Sequence, residues 1–240
     1  MTTSHEFLLT VEAGKRLIAR GLVKDESFRR ALFEKKVVII AGTTNGFVAE
    51  EVLALLGEPH PFDRQAFRRG VTVAPGARLP AGKLEGDLLI DHGRAVFGRD
   101  IFDVGPELQP GDVILKGANA VNLSLGEAGV LIGHPQGGTM IPTLTASLGR
   151  RVQVIVPVGL EKRVDAPIAF LSGLCAAESC DGPRLAPLPG RVYTELDAIR
   201  TLTGASAQLI AAGGILGAEG GVYLHAQGTA EQIAALRALL

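Results

Sequence analysis

The sequence predicts an α/β fold in which a mainly parallel sheet carries helices on both faces, followed by a small C-terminal α+β lobe. Several apolar runs, such as "VVIIA" and "DVIL", are continuous rather than alternating, which is typical of strands covered on both faces. Glycine-rich loops lead from such runs into helical patterns, and this alternation favours parallel strands joined by helices. After residue 192 the order changes to helix, strand, strand, helix, which predicts the separate lobe.

Two amphipathic helices are predicted to open the chain. They cover "TVEAGKRLIARGLV" and "DESFRRALFEKK", and Asp25 is a suitable N-cap for the second one. A buried strand is predicted at Val37–Ala41. The helix that follows it has a natural C-cap in Gly57.

The rest of the chain divides into four parts. Residues 58–86 are rich in turn-forming residues, and they predict an irregular excursion with a short strand such as "VTVA". Further strands are predicted at "DLLI", "RAVFG", "DVIL", "GVLIG" and "VQVIVPVG", with a helix at "TMIPTLTASLG". We therefore predict a ligand-binding α/β domain over 1–174, a linker or surface excursion over 175–191, and the lobe over 192–240. The connection "GGILGAEGG" joins two strands, so it predicts a hairpin rather than a phosphate loop.

Composition narrows the function classes. The chain has 240 residues, 47% of them hydrophobic and 20% charged, and a net charge of -1. Short basic groups in "FRRAL", "FRRG" and "LEKRV" are interpreted as solvated edges, and there is no Trp, so nucleic-acid binding is not expected. No apolar run approaches the roughly 20 residues that span a bilayer, and the start lacks the pattern of a secretory signal. Cys175 and Cys180 fit neither a disulfide framework nor a zinc pattern, so we expect a reduced, cytoplasmic protein with no metal site and no cofactor.

The first candidate site is the loop Gly42-Thr43-Thr44-Asn45-Gly46, which joins a strand to a helix. A helix start offers unpaired N–H groups and a partial positive charge, which together bind phosphate or carboxylate. The loop lacks the Lys-Ser/Thr ending of a P-loop and the spacing of a dinucleotide fingerprint. The alternative is that Thr44 or Asn45 merely caps the helix.

The second candidate site is "ILKGANAVN". Lys116 follows a buried strand at the edge where α/β sheets form their ligand crevice, and Gly117 comes next. Such a lysine can contact an anionic ligand, or it can simply extend to solvent. Asn119 can orient a ligand or shape the turn.

The third candidate site is "IGHPQGGTM". Gly137, Gly138 and Thr139 lead into the next helix and repeat the pattern of the first loop. His134 follows a strand and is a candidate general acid or base, although a lone histidine is often structural. Asp91, after "DLLI", joins the same edge only if that strand is parallel to the others.

These patterns carry a resemblance. "VIIAGTTNGFVAEEV" and "DVILKGANAVN" are similar to the first loop and the Lys-Gly segment of ribose-5-phosphate isomerases. The stretch from "VILKGANAV" to "VQVIVPVGLEKRV" resembles the closing half of methylthioribose-1-phosphate isomerases. Over residues 35–165 the chain thus resembles the sugar-phosphate isomerase and CoA-transferase-like superfamily. That resemblance implies a Rossmann-like α/β fold.

No complete catalytic set of that superfamily is present. Asn119 stands where the methylthioribose enzymes have a catalytic Asp, and no cysteine lies near the loops. Asp103 and Asp112 do not reproduce the acidic pair of the ribose isomerases. Glu127 is the nearby downstream glutamate, in a context that matches the CoA-transferase nucleophile only faintly.

The resemblance implies that a small anionic metabolite binds at the carboxyl edge of the sheet. For an enzyme, it implies aldose–ketose isomerisation of a phosphorylated sugar: Lys116 would stabilise the enediolate, and Glu127, His134 or Asp91 would move the proton. Two alternatives stay open. One is a non-catalytic metabolite sensor or assembly subunit, and the other is chemistry on a CoA ester through Glu127. A homo-oligomer is expected from the fold analogy alone.

Overall fold

The structure, a computed structural model, describes residues 2–57, 62–70, 72–76 and 86–240. The helices in these ranges are α1 (Val11–Lys24), α2 (Glu26–Glu34), α3 (Thr43–Leu56), α4 (Ile101–Val104), α5 (Met140–Leu144), α6 (Ile168–Leu174), α7 (Glu195–Thr203) and α8 (Ala230–Leu239). The strands are β1 (Thr3–Leu9), β2 (Lys36–Ile39), β3 (Asp87–Asp91), β4 (Arg94–Arg99), β5 (Val113–Leu115), β6 (Ala120–Asn122), β7 (Glu127–Ile132), β8 (Gln153–Pro157), β9 (Arg184–Leu188), β10 (Arg191–Tyr193), β11 (Ser206–Ala212) and β12 (Val222–Gly228). The fold is mixed α/β, as predicted.

The central sheet has six strands in the order β10-β8-β5-β2-β3-β4. The first four are parallel, whereas β3 is antiparallel to β2 and to β4. The antiparallel part has a local cause: His92 and Gly93, which join β3 to β4, both have left-handed backbones with φ of 48° and 82°. Two positive φ values are typical of a two-residue hairpin turn, so β3 and β4 form a hairpin instead of a helical crossover.

Successive residues of the central strands enter two different cores. In β2, Val37 and Ile39 pack among α1, α3 and α7, while Val38 packs on the opposite face with α4 and α5. This two-sided burial is the physical reason for the uninterrupted apolar runs in the sequence.

A second sheet, β6-β7-β9, lies against the α4–α5 face. Strand β9 lies inside the segment 175–191 that was predicted as a linker or excursion. It pairs antiparallel with β7 and buries Leu185 and Leu188. Part of that segment is therefore an integral strand of the structure.

The C-terminal elements occur in the predicted order α7, β11, β12, α8, and "GGILGAEGG" joins the antiparallel pair β11 and β12. The sequence analysis missed β1, which comes from the other end of the chain and pairs with β12 along its whole length. Phe7 and Leu9 of β1 enter the same core as α1, so this sheet shares its core with the main domain. The boundaries at 174 and 192 stay a prediction.

Several local predictions are confirmed. Asp25 caps α2 by accepting a hydrogen bond from the Phe28 N–H, and Gly57 ends α3 with a φ of 68°. About half of the predicted irregular excursion over 58–86 lies outside the described residues, and 72–74 form no strand. Within the described ranges, no helix has the length and apolar character needed to cross a membrane.

Candidate functional site

A cavity of about 1080 Å³ lies at the carboxyl ends of β2 and β5 and extends between α4 and α5. It brings together most of the residues predicted for the site. These are Gly42, Thr43, Thr44, Asn45, Lys116, Gly117, Asn119, His134, Gly137, Gly138 and Thr139. The three loops that the sequence analysis grouped by pattern therefore share one cavity.

The first loop enters α3 with no side-chain cap. Gly42 is the N-cap residue, so the alternative that Thr44 or Asn45 caps the helix is wrong. Both residues lie within the first turn of α3, where N–H groups have no intrahelical acceptor. The Thr44 side chain is buried, at 2% exposure, and its Oγ1 has no hydrogen-bond partner among the described residues. The start of this 14-residue helix thus offers unsatisfied groups beside the cavity.

Asn45 fixes the start of α3 to the sheet. Its Nδ2 donates to the carbonyl oxygens of Ile40 and Leu115, at 2.8 and 3.0 Å, which joins the ends of β2 and β5. The buried Oδ1 of Asn45 has no partner in the part of the chain that the structure describes. Gly46, in contrast, does not line the cavity. A Cβ there would lie 2.8 Å from the Arg64 side chain, so this glycine makes room for Arg64.

Lys116 lies on the wall of the cavity at the end of β5. It is 6% exposed, and its Nζ donates to Thr139 Oγ1 at 2.7 Å, so the lysine does not extend to solvent. Burial lowers the pKa of Lys116 to about 8; the Asp87 carboxylate opposes this shift and the Arg69 guanidinium adds to it. Lys116 and Thr139 connect the second and third loops.

Asp87 and Arg69 are residues at the edge of the candidate site that the sequence analysis missed. Asp87 accepts hydrogen bonds from the Ala41 and Ile101 N–H groups, each at 2.9 Å, and Arg69 lies 3.2 Å from Asp87 Oδ1. Burial raises the pKa of the Asp87 carboxyl, and these donors oppose the shift. The sequence analysis considered only a parallel β3, as the condition for placing Asp91 at this edge. The strand is antiparallel to β2, so it brings its first residue, not its last, to the carboxyl edge of the parallel strands.

Asp91 consequently lies at the opposite edge of the sheet. It pairs with Lys36 at the start of β2, and its carboxylate lies 2.6 Å from His92 Nδ1. The "DHGR" sequence is the signal that could have revealed this, because a glycine between two short apolar runs is typical of a hairpin.

The third loop forms a turn of its own. Gly137 and Gly138 have φ values of 79° and 52°, which L side chains rarely adopt, and the Gly137 N–H donates to His134 O at 2.9 Å. His134 is exposed to the cavity, and its Nδ1 accepts from the Gln136 N–H at 3.1 Å. The proton of a neutral His134 ring is therefore on Nε2.

Glu127 does not line the cavity. Its Oε2 accepts from the Ile168 N–H, at 2.9 Å, at the start of α6. Asn119 lines the cavity, but its Oδ1 accepts from the Leu131 N–H and so holds β7 in place. The structure thus brings His134 and Lys116 together and leaves Glu127 and Asp91 outside.

Every charged side chain that lines the described part of the cavity is basic. They are Arg69, Lys116, Arg150 and Lys162. Arg69 and Lys162 belong to the "FRRG" and "LEKRV" groups that were interpreted as solvated edges. Arg69 is exposed, as that interpretation expects, but its guanidinium also pairs with the buried Asp87, whereas Lys162 is partly buried on the cavity. Burial lowers the pKa of Lys162, and the nearby Glu161 opposes the shift. The cavity between α4 and α5 is apolar by contrast, with Phe102, Ile141 and Pro142 on its wall.

Comparison of the chain with family models, with curated protein sequences and with solved structures gives no significant match. Among the residues that the structure describes, no cluster of three His, Cys, Asp or Glu side chains has an arrangement that could hold a metal ion.

Proposed function

We propose that this cavity binds a small phosphorylated metabolite, with an open-chain sugar phosphate as the best candidate. The observation that carries the proposal is the charge of the described lining: four basic side chains and no carboxylate. Among these four, Lys116 is buried and has no carboxylate of the described residues within ion-pair distance. Such a buried cation is costly in the free protein, and an anionic ligand removes that cost.

The phosphate would lie at the start of α3. Backbone N–H groups of the first turn and the unpartnered Thr44 Oγ1 are donors there, and the positive end of the helix adds to the attraction. Gly42 allows close approach, since a Cβ at this residue would meet only Ile40 O, at 3.9 Å. Lys116 and Arg69 supply the positive charge. The four parallel strands supporting this edge also agree with the Rossmann-like arrangement that the resemblance implies, which we retain as part of the proposal.

For a catalytic protein, aldose–ketose isomerisation is the chemistry we propose. The Lys116 ammonium would stabilise the enediolate oxygen. His134 is the side chain on the cavity that can move a proton between adjacent carbons, since Glu127 and Asp91 lie outside it.

A specific observation favours a second candidate, a non-catalytic metabolite sensor. No carboxylate lines the described cavity, and the Asn119 amide oxygen is already engaged by Leu131. A sensor needs the basic lining and the α3 start, but it needs no proton-transferring group.

A CoA ester stays in the test panel because of the apolar wall. Phe102 and Ile141 are each about half exposed on the cavity, and such a surface suits a ligand with an apolar part. Glu127 is not used in this proposal. The two cysteines are free thiols, which agrees with the cytoplasm as the proposed location.

Thermal unfolding with ribose 5-phosphate, ribose, inorganic phosphate and acetyl-CoA tests the binding proposal. A ligand at a hundred times its dissociation constant stabilises the native state by about 2.7 kcal/mol. We expect stabilisation by ribose 5-phosphate but not by ribose, and we expect Lys116→Met to weaken it. Lys24→Met, on the exposed end of α1, is the matched control and should leave it unchanged.

Proton exchange separates the two candidate functions. An isomerase incubated with ribose 5-phosphate in deuterated water incorporates deuterium beside the carbonyl, which NMR detects, and His134→Gln should slow this incorporation. Stabilisation without exchange would support the sensor instead. No stabilisation by any phosphorylated compound would refute the binding proposal itself.

A further inference from the structure

We propose that Lys116 is a nucleophile that forms an imine with the carbonyl carbon of the ligand, an inference that rests on the proposed function of the cavity. In this role Lys116 activates the carbonyl by covalent bonding rather than by its charge. The ligand class is accordingly narrowed to phosphorylated aldehydes and ketones.

The surroundings of Lys116 are those of a nucleophile rather than of a structural ion pair. Its Nζ donates to a neutral oxygen, Thr139 Oγ1, and no carboxylate of the described residues lies within ion-pair distance. The charged groups that act on it are Asp87 and Arg69. Both Asp87 oxygens already accept backbone hydrogen bonds, and Arg69 binds the same carboxylate. The Asp87 carboxylate is thus already engaged by hydrogen-bond donors other than Lys116.

The protonation state agrees with this geometry. A lysine amine attacks a carbonyl only when it is neutral, and desolvation together with a neighbouring cation favours the neutral form. Burial lowers the pKa of Lys116 to about 8, and Arg69 lowers it further against the opposing effect of Asp87. About half of the Lys116 side chains are neutral near pH 8, whereas an exposed lysine is almost fully charged there.

The reaction balances without any oxidant or reductant. The Nζ lone pair forms a C–N bond to the carbonyl carbon, and the carbonyl oxygen takes up a proton while the nitrogen loses one, giving a carbinolamine. The hydroxyl group then takes up a second proton, supplied by the solvent, and the C–O bond breaks as the nitrogen lone pair forms the C=N bond. The oxygen leaves as water, giving a protonated imine. The Thr139 hydroxyl lies 2.7 Å from Nζ and is placed to carry a proton between nitrogen and oxygen, so Thr139 is a positioning residue for this step. Addition of water reverses the sequence and releases the ligand.

Lys162, on the same cavity, can be compared directly with Lys116. Lys162 is partly buried there, but its Nζ lies 3.9 Å from Glu161 Oε1, and Glu195 also favours its charged form. An amine that is paired with a carboxylate keeps its proton more readily and attacks a carbonyl less readily. The two lysines therefore share a cavity and differ in their partners.

The experiment is reductive trapping on the full-length chain with ribose 5-phosphate or dihydroxyacetone phosphate and sodium cyanoborohydride. Cyanoborohydride reduces a protonated imine to a stable secondary amine, which intact mass and peptide mapping locate. We expect one adduct per chain, on Lys116, with a trapping rate that rises with pH around 8. Lys24→Arg, on the exposed end of α1 and away from the cavity, should retain the adduct. Lys116→Arg should lose it, and Lys116→Met serves the same purpose if the larger arginine does not fit.

The outcomes separate the imine from the binding proposal. Modification spread over surface lysines and unchanged in Lys116→Met would mean nonspecific glycation and would overturn the inference. Thermal stabilisation by ribose 5-phosphate with no adduct on Lys116 would overturn the imine and leave the binding proposal standing. Neither stabilisation nor an adduct would overturn both. An adduct on wild-type Lys116 that unphosphorylated ribose does not give would support both.

Discussion

Two glycine-rich loops on this cavity look alike in the sequence and differ in what shapes them. Gly42 precedes α3 with a φ of 179°, an extended backbone that any residue adopts, and a Cβ there would meet almost no protein atom. Gly137 precedes α5 with a φ of 79°, and a Cβ there would lie 2.6 Å from the Ile141 side chain. The fold thus requires glycine at residue 137, in the third loop, but not at residue 42, in the first.

The loops also differ in what holds them in place. The first loop depends on side chains from elsewhere: Asp87 accepts from the Ala41 N–H, and Asn45 ties α3 to two strand ends. The third loop is closed by its own hydrogen bonds, such as that from Gly137 N–H to His134 O. A glycine that the backbone does not require, beside a cavity, favours close approach of a ligand; one with a positive φ is explained by the turn.

Removing Asp87, which supports the first loop from another segment, should have the largest effect on the free energy of unfolding. Asp87→Ala leaves two buried N–H groups without an acceptor and removes one of the two carboxylates that Arg69 contacts. We expect a loss of about 3–5 kcal/mol in the free energy of unfolding, measured by urea denaturation. Asp91→Ala, at the exposed end of the same strand, is the control and should cost less than about 1 kcal/mol. Equal costs for the two variants would show that the loop does not depend on Asp87.

The third loop should lose stability when its own glycine, Gly137, is substituted. Gly137→Ala places a side chain at a left-handed φ, which costs about 1–2 kcal/mol, and it displaces Ile141. Urea denaturation should show this loss in the midpoint at an unchanged slope. In an Ile141→Ala background the part of the cost due to displacement should disappear. If Gly137→Ala proves neutral, the loop adopts a different backbone from the one described.

The sequence predicted more of the site than of the sheet. The three loops, Lys116 and the capping of α2 by Asp25 follow from local patterns, and short-range geometry enforces local patterns. The direction of β3 follows from the two-residue turn at His92-Gly93, and this direction places Asp87 rather than Asp91 at the carboxyl edge of the parallel strands. The condition under which Asp91 was a candidate is therefore not met, and the aspartate at that edge is the buried, hydrogen-bonded Asp87.

Long-range pairing explains the other differences. Strand β1 is stabilised by β12, from the far end of the chain, and nothing local to Thr3–Leu9 specifies that partner. The sequence pattern also does not show that Arg69 pairs with Asp87, which lies 18 residues away, or that Arg69 and Lys162 line the same cavity. Burial of a charged side chain is decided by tertiary contacts, which the sequence pattern does not display.

Each of the two loops supplies a threonine hydroxyl. Replacing the two threonines by valine should change the free energy of unfolding in opposite directions. Thr44 Oγ1 is buried without a partner, so Thr44→Val should raise the free energy of unfolding by about 1 kcal/mol while it weakens binding of ribose 5-phosphate. Thr139 Oγ1 accepts from Lys116, so Thr139→Val leaves a buried donor unpaired and should lower that free energy. Urea denaturation with and without ligand measures both effects. A loss of stability in Thr44→Val would mean that its hydroxyl has a partner in the free protein.

Gly42→Ala should have the smallest effect on stability and still weaken ligand binding clearly. Gly42→Ala suits the extended backbone and meets only Ile40 O, at 3.9 Å, so the free energy of unfolding should change by less than about 1 kcal/mol. The added methyl group occupies the space beside the α3 start where the phosphate is proposed to lie, and we expect at least about tenfold weaker binding, or about 1.4 kcal/mol. Gly173→Ala in α6, where a Cβ also meets nothing within 4 Å, is the matched control away from the cavity and should leave affinity unchanged. Unchanged affinity in Gly42→Ala would move the phosphate away from this loop, because no ligand atom could then be close to its backbone.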